Sequence, residues 1–469
     1  MALRSGTLSI QSDDCDKQKS CDMEVNPTSD RYVHAPIDKF GPLGRWFRHK
    51  LLDGILVGTP VLLTIQRHRT KPRTTLMKTL SFLGTEDFYT ILFLFLMWSV
   101  DSRFGRLFGI LMFIGFYTTG FLKTMLCLPR PPCPPIEPLE KAFDWALPSH
   151  HSLLGVIMPW YIWLYVTLHY ELNTWAMSMV CTLIVVWSFG VLLSRLYLGV
   201  HSPADIVCGG IVGVLVLSLW MQADDYVDFY VSQQRLEPQL KLLAGMFFLL
   251  CIHPITEKGN PSFTDTCILF GVTTGVILAR SQRSRFLGMQ AVLEVHPDTP
   301  VLWFAFTAVA RLVVGGIIIN VLRVTLRVLL NAIFTFLYRS AGFTVYSSSK
   351  YRKTMPPNPK HYTKEFKLPP IHATKTKHAE DEPEETNATS SGDDVKKSEM
   401  TSSKSDEPVN VECPSWLGYI QIWNTVFSLT RKNDQQPWDI DVPAKCILYA
   451  IITFVGVEVV PRLFTVIGI

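Results

Sequence analysis

The chain has 469 residues, of which 48% are hydrophobic and only 18% charged, below the ~25% charge of an ordinary soluble domain; its mean hydropathy is +0.22. A formal net charge of +4, scattered along the chain, gives no basis for nucleic-acid binding. Ten cysteines without a CxxC pair give none for a zinc or redox centre.

The N-terminus, MALRSGTLSIQSDD, lacks an apolar h-region, so it does not read as a cleaved secretory signal. Residues 1–49 form a polar N-terminal segment, and the first apolar segment is expected to act as an uncleaved anchor. Membrane spans are predicted near 51–66, 86–100, 104–124, 152–170, 175–194, 203–222, 240–256, 264–280, 300–322 and 445–467. The first is short and holds Asp53 and Pro60, which suits a segment lying in, or re-entering, the interface. The stretch 326–338 suits equally a short span or an amphipathic interfacial helix edged by Arg327 and Arg339. From Ser347 to Glu412 Lys, Glu, Ser, Thr, Asp and Pro dominate. That linker cannot bury enough surface to offset its ordering entropy, so it is predicted to be disordered. Its Asn387-Ala388-Thr389 is a glycosylation sequon, usable only in a lumen. The expected fold is an all-α polytopic membrane protein. It comprises a six-helix core over 50–222, additional transmembrane helices over 223–346 and a final one within 413–469, about 8–10 spans in all.

Three polar clusters interrupt this apolar pattern: KTMLCLPRP from Lys123 to Pro131, PSHH from Pro148 to His151, and SRLYLGVHSPAD from Ser194 to Asp205. Charged groups near membrane helices are costly and usually functional. Lys123, Arg130 and Arg195 supply the cations that a phosphate ester's non-bridging oxygens require, arginine as a planar fork and lysine as a point charge. Taken alone, Lys123 would read as a helix-end lysine snorkelling to the interface. Pro131, Pro132, Pro134 and Pro135 exclude helix after Arg130 and stiffen its loop. Ser149 suits the N-cap of the next helix, whose free N–H groups favour an anion. Either His150 or His151 could donate a proton to a leaving oxygen; spacing does not choose between them. His201 and Asp205 lie four residues apart, with Pro203 at a helix start. There an aspartate can hold one ring nitrogen while the other attacks phosphorus. Cys127 and Cys133 flank Arg130. They could pair in an oxidising lumen, although two thiols in a proline-rich loop is the simpler reading.

Counting spans returns all three clusters to one side of the membrane. The loop 280–285 (RSQRSR), on the other side, makes that other side cytoplasmic by the positive-inside rule. RHRTKPR at 67–73 argues the opposite way. The balance favours a lumenal site.

Together the clusters resemble the type 2 phosphatidic acid phosphatase superfamily, whose signature is KxxxxxxRP, PSGH and SRxxxxxHxxxD. Here these are Lys123 with Arg130–Pro131, Pro148–Ser149–His150–His151, and Ser194–Arg195 with His201 and Asp205. The resemblance implies that His201 forms a phosphohistidine and that His151 protonates the leaving group and then activates water. By the same likeness Asp205 orients His201, while Lys123, Arg130, Ser149, Ser194 and Arg195 bind phosphate, with no metal and no cofactor. His150 departs from the signature glycine. The LPRPPCPP run and the extra C-terminal spans look most like the sphingosine-1-phosphate or long-chain-base-1-phosphate phosphatase branch. That implies a lipid substrate, sphingolipid metabolism and the endoplasmic reticulum membrane. Phosphatidic acid, lysophosphatidic acid, a polyprenyl diphosphate or a sugar phosphate would fit the same motifs, and a transporter or scaffold that keeps the helices is the non-enzyme alternative.

Overall fold

The computed structural model describes residues 41–133, 135–233, 236–254, 260–286, 300–342, 345, 347, 349–350 and 439–469. Most of the linker expected over 347–412, the sequon at Asn387 and residues 1–40 lie outside them.

Among the described residues the regular structure is helical throughout. Four helices frame the site: α5 (Ser102–Leu126), α6 (His150–His169), α7 (Thr174–Tyr197) and α8 (Pro203–Ser232). Before them come α1 (Pro42–Val57), α2 (Thr59–Arg67), α3 (Lys71–Phe82) and α4 (Glu86–Val100). After them come α9 (Leu236–Cys251), α10 (Ser262–Phe286), α11 (Val301–Ser340) and α12 (Asp441–Ile467). Among the described residues seven helices are long and apolar enough to cross a membrane, and α3 with α4, bent by 54° between them, would make an eighth.

Each helix start in the core has a side chain to satisfy its free N–H groups. Asp101 accepts from Arg103 N at 2.8 Å to open α5, and Asn173 accepts from Ala176 N at 2.8 Å to open α7. Ser149 opens α6, and Ser202 opens α8 through a capping box with Asp205. Because α5 to α8 run alternately up and down, the C-terminal ends of α5 and α7 meet the N-terminal ends of α6 and α8. All three sequence clusters occupy that end. The opposite end is closed by ion pairs: Arg103 and Arg106 of α5 bind Asp228 of α8, and Arg103 also reaches Asp225 at 2.5 Å.

The core is lined by Phe104, Phe108, Tyr161, Leu153 and Ile157, all buried. Along α7 and α11, in contrast, Trp175, Phe189, Leu302 and Phe336 stay exposed. On helices of this length and composition such rows suit contact with acyl chains. On α10, Gly271 and Gly275 meet α12 so closely that a Cβ at either would press into the Cys446 or Ala450 carbonyl. Small residues four apart let helix backbones approach in this way.

Three sequence expectations are corrected here. The stretch 326–338 is no separate element but part of the continuous 40-residue α11. Residues 280–285 belong to α10 rather than to a loop. The span expected near 240–256 is α9, whose 16 residues fall short of a crossing among the described residues, whereas the first apolar run divides at Gly58 into two short helices, α1 and α2, which agrees with an interfacial segment.

Candidate active site

The site begins where α5 ends. Cys127 takes a left-handed conformation (φ 48°) as the C-cap, and Arg48 of α1 donates to the Leu126 and Cys127 carbonyls, each at 3.1 Å. A cation there complements the negative end of the helix. The turn releases the chain into the proline-rich loop that carries Arg130. Cys127 and Cys133 are not joined by a disulfide. Cys127 is buried with its thiol directed to the Thr124 carbonyl at 2.9 Å, while Cys133 is exposed.

Arg130 crosses from this loop to the α7–α8 turn. Its Nη1 donates to the Val200 carbonyl at 2.7 Å and lies 3.4 Å from His201 Nε2. Its Nε and Nη2 donate to the carbonyl and the carboxylate of Asp144, at 3.1 Å and 2.6 Å. The other oxygen of that carboxylate takes the Lys123 ammonium. Lys123, at the last turn of α5, is almost wholly buried. Burial alone would raise the Asp144 pKa, but Lys123 and Arg130 outweigh it and hold the carboxyl well below the ordinary range. Arg195, near the end of α7, donates through Nη1 to Ser81 Oγ and Glu140 Oε2, both at 2.6 Å. Its Nε has no partner among the described residues. All three cations singled out in the sequence thus hold a carboxylate from the loop between the first two clusters.

His201 precedes α8 and is 1% exposed. Its Nδ1 lies 3.4 Å from Asp205 Oδ2, without the alignment of a hydrogen bond. That oxygen accepts from Ser202 N at 2.7 Å, closing the capping box. Burial, and then Arg130, Lys123 and Arg195, push the His201 pKa well below the usual 6.5. The imidazole is therefore neutral near pH 7, with Nε2 turned towards Arg130.

Ser149 is fully buried and ties the two helix starts together: its N–H donates to the Asp205 carbonyl at 3.1 Å. Gly209 permits this approach, since a Cβ there would come within 2.7 Å of the Ser149 carbonyl. The two histidines of α6 diverge. His150 meets the ring of Phe116 edge to face at 4.0 Å, whereas His151 lies against Gly84 at the α3–α4 bend. Ser194 differs from the rest of the set, because its hydroxyl donates to the Val191 carbonyl of its own helix at 2.6 Å.

Asp144 and Glu140 do not stand out in the sequence. Their only signal is the acidic pair in EKAFD, just ahead of PSHH. Arg69, part of the basic stretch at 67–73, also acts locally. It donates to the Tyr197 carbonyl at 2.8 Å and the Glu137 carbonyl at 2.9 Å, clamping the end of α7.

Comparison with known proteins agrees with the motifs. The chain is 30% identical over 261 residues to lipid phosphate phosphatase delta of Arabidopsis thaliana, a match covering 53% of this chain and 61% of that protein. It is 28% identical over 252 residues to sphingosine-1-phosphate phosphatase 1 of Mus musculus, covering 51% and 56%. The chain thus spans less than two thirds of these relatives. The crystal structure of a transmembrane PAP2 type phosphatidylglycerolphosphate phosphatase from Bacillus subtilis aligns at 22% identity and a TM-score of 0.33, over 39% of this chain and 96% of that one. Residues 104–228, which hold all three clusters, match the PAP2 superfamily and constitute a domain of that superfamily.

Proposed function

We propose that this protein hydrolyses a lipid phosphomonoester in the membrane, without a metal, through a phosphohistidine, and that its substrate is sphingosine-1-phosphate or dihydrosphingosine-1-phosphate. The observation that carries the reading is the placement of the His201 ring. Nδ1 faces Asp205 at 3.4 Å, and Nε2 lies 3.4 Å from Arg130 Nη1, beside the cations that would hold a phosphate. In the first step His201 Nε2 attacks phosphorus, the P–N bond forms and the ester P–O bond breaks. His151 gives its proton to the departing alkoxide. In the second step His151 takes a proton from water, the hydroxide attacks phosphorus, and inorganic phosphate leaves as the P–N bond breaks. Lys123, Arg130 and Arg195 neutralise the charge that grows on the non-bridging oxygens. Ser149, Ser152 and Asp205 at the starts of α6 and α8 are buried, which limits bulk water and strengthens those interactions.

The sphingoid substrate and an endoplasmic reticulum membrane with a lumenal site rest on the resemblance and on the mouse relative's name. The name of the Arabidopsis relative supports a second, broader reading as a lipid phosphate phosphatase. The deciding assay is phosphate release by membranes holding the full chain, with EDTA present, from dihydrosphingosine-1-phosphate and from phosphatidic acid. Faster release from the former, abolished by His201→Ala, is expected. Equal release from both would keep the chemistry and favour the broader reading. Release that survives His201→Ala would overturn the phosphohistidine.

A further inference from the structure

The loop between the first two motifs places carboxylates where phosphate chemistry alone would want none. Glu140 meets Arg195 at 2.6 Å, and Asp144 meets Arg130 at 2.6 Å and also Lys123. For a substrate whose only charge is its phosphate, these carboxylates weaken the attraction of the site. For a phosphomonoester that carries an ammonium on the carbon next to the ester-bearing one, they complete the match, because both signs of the substrate find the opposite sign.

We propose that Glu140, supported by Asp144, reads this ammonium and so sets specificity for amine-bearing lipid phosphates. The inference rests on the lipid phosphatase reading above. Two properties suit Glu140 to this role. Its side chain is 31% exposed, so it is reachable, and only Oε2 is engaged, leaving Oε1 without a hydrogen-bond partner among the described residues. Arg195 beside it is 5% exposed and keeps Nε, a buried donor, unpartnered. Phosphate can take that spare donor while the ammonium takes the spare oxygen. The amine stands one carbon beyond the ester carbon, which matches a carboxylate in direct contact with a phosphate-binding guanidinium. Asp144 has both oxygens committed to Lys123 and Arg130, so it contributes field rather than a free acceptor.

A carboxylate that merely held Arg195 in place would affect every phosphomonoester alike. The test therefore compares dihydrosphingosine-1-phosphate with its N-acetyl derivative, which keeps the chain and phosphate but loses the positive charge. Both are assayed on the full-length protein in proteoliposomes. The wild type should prefer the free amine. Glu140→Gln should lower kcat/KM for the amine and raise it for the N-acetyl lipid, cutting the preference by about tenfold or more; Glu140→Asp should retain it. If Glu140→Gln lowers or raises both substrates together, Glu140 only positions Arg195 and the proposal falls. Equal wild-type rates on the two lipids would overturn amine recognition while leaving a lipid phosphatase. No release from either would overturn the phosphatase reading itself, and this inference with it.

Discussion

His201 is buried beside Arg130, and its pKa lies well below 6.5 because burial and the charges of Arg130, Lys123 and Arg195 all disfavour the imidazolium. Asp144 acts in the opposite sense: its negative charge raises the His201 pKa part of the way back. In the proposed mechanism, protonation of Nε2 would remove the lone pair that attacks phosphorus. The loss of kcat/KM attributable to His201 should therefore fall below pH 6.5, and Asp144→Asn should move it lower still. The difference between the two pH profiles cancels the substrate's own ionisation, which has a pKa of about 6; an upward shift in the variant would contradict this electrostatic account. The motif side chains are legible in the sequence because the proposed chemistry would demand fixed residue types, and those types stand out against apolar helices. Asp144 and Glu140 are not, because a carboxylate among cations proposed to hold phosphate runs against charge reasoning until its contacts are seen. The choice between His150 and His151 is equally closed to spacing, since adjacent residues share a helix start. Only packing separates them, His150 against Phe116 and His151 against Gly84.

At the scale of elements, hydropathy locates the long core helices well but misjudges α11. Arg323, Arg327 and Asn331 interrupt its apolar windows, although none of these residues breaks a helix. Arg323 lies over the Tyr449 ring of α12 at 5.9 Å, a placement that lets a cation remain on an apolar helix. At 1.5 Å per residue α11 is ~60 Å long, about twice the hydrocarbon thickness, so a window tuned to one crossing could not describe it. The α10–α12 contact is also invisible to hydropathy, which registers side chains and not backbone approach. Its glycines make it testable. Gly271→Leu should destabilise the detergent-solubilised protein by about 1–3 kcal/mol, read as a lower thermal midpoint. Gly316→Leu on α11, where a Cβ meets nothing within 4 Å, should leave the midpoint nearly unchanged. Equal midpoints for the two variants would show that the close crossing contributes little.

For the whole molecule, the alternation of α5 to α8 agrees with the parity of the predicted spans: the three clusters share one end and the Arg103–Asp228 ion pairs take the other. Which end would face a lumen, under the proposed placement, is a matter of orientation. A cysteine introduced by Lys141→Cys, at an exposed position in the site's loop, should resist a membrane-impermeant maleimide in sealed microsomes and react once they are permeabilised, over the background of the unaltered chain. Labelling of sealed vesicles would instead put the site on the cytoplasmic face. One further feature bears on how the chain divides. α4 and α12 each contain a π-helical turn, at Leu96–Val100 and Val455–Val459. The Trp98 indole donates to the Gly456 carbonyl at 2.8 Å, while Arg311 of α11 donates to the Trp98 carbonyl at 2.9 Å. Widened turns leave carbonyls in need of donors, and hydrocarbon supplies none. The superfamily match ends at residue 228, yet among the described residues the indole and carbonyl of Trp98, just before α5, are partnered by Gly456 and Arg311, from beyond position 300. In engineering terms the matched domain is not a portable cassette. Cutting the chain after α8 would strand an indole N–H and a backbone carbonyl in the bilayer beside α5 to α8, so the terminal helices act as the domain's solvent as much as its neighbours.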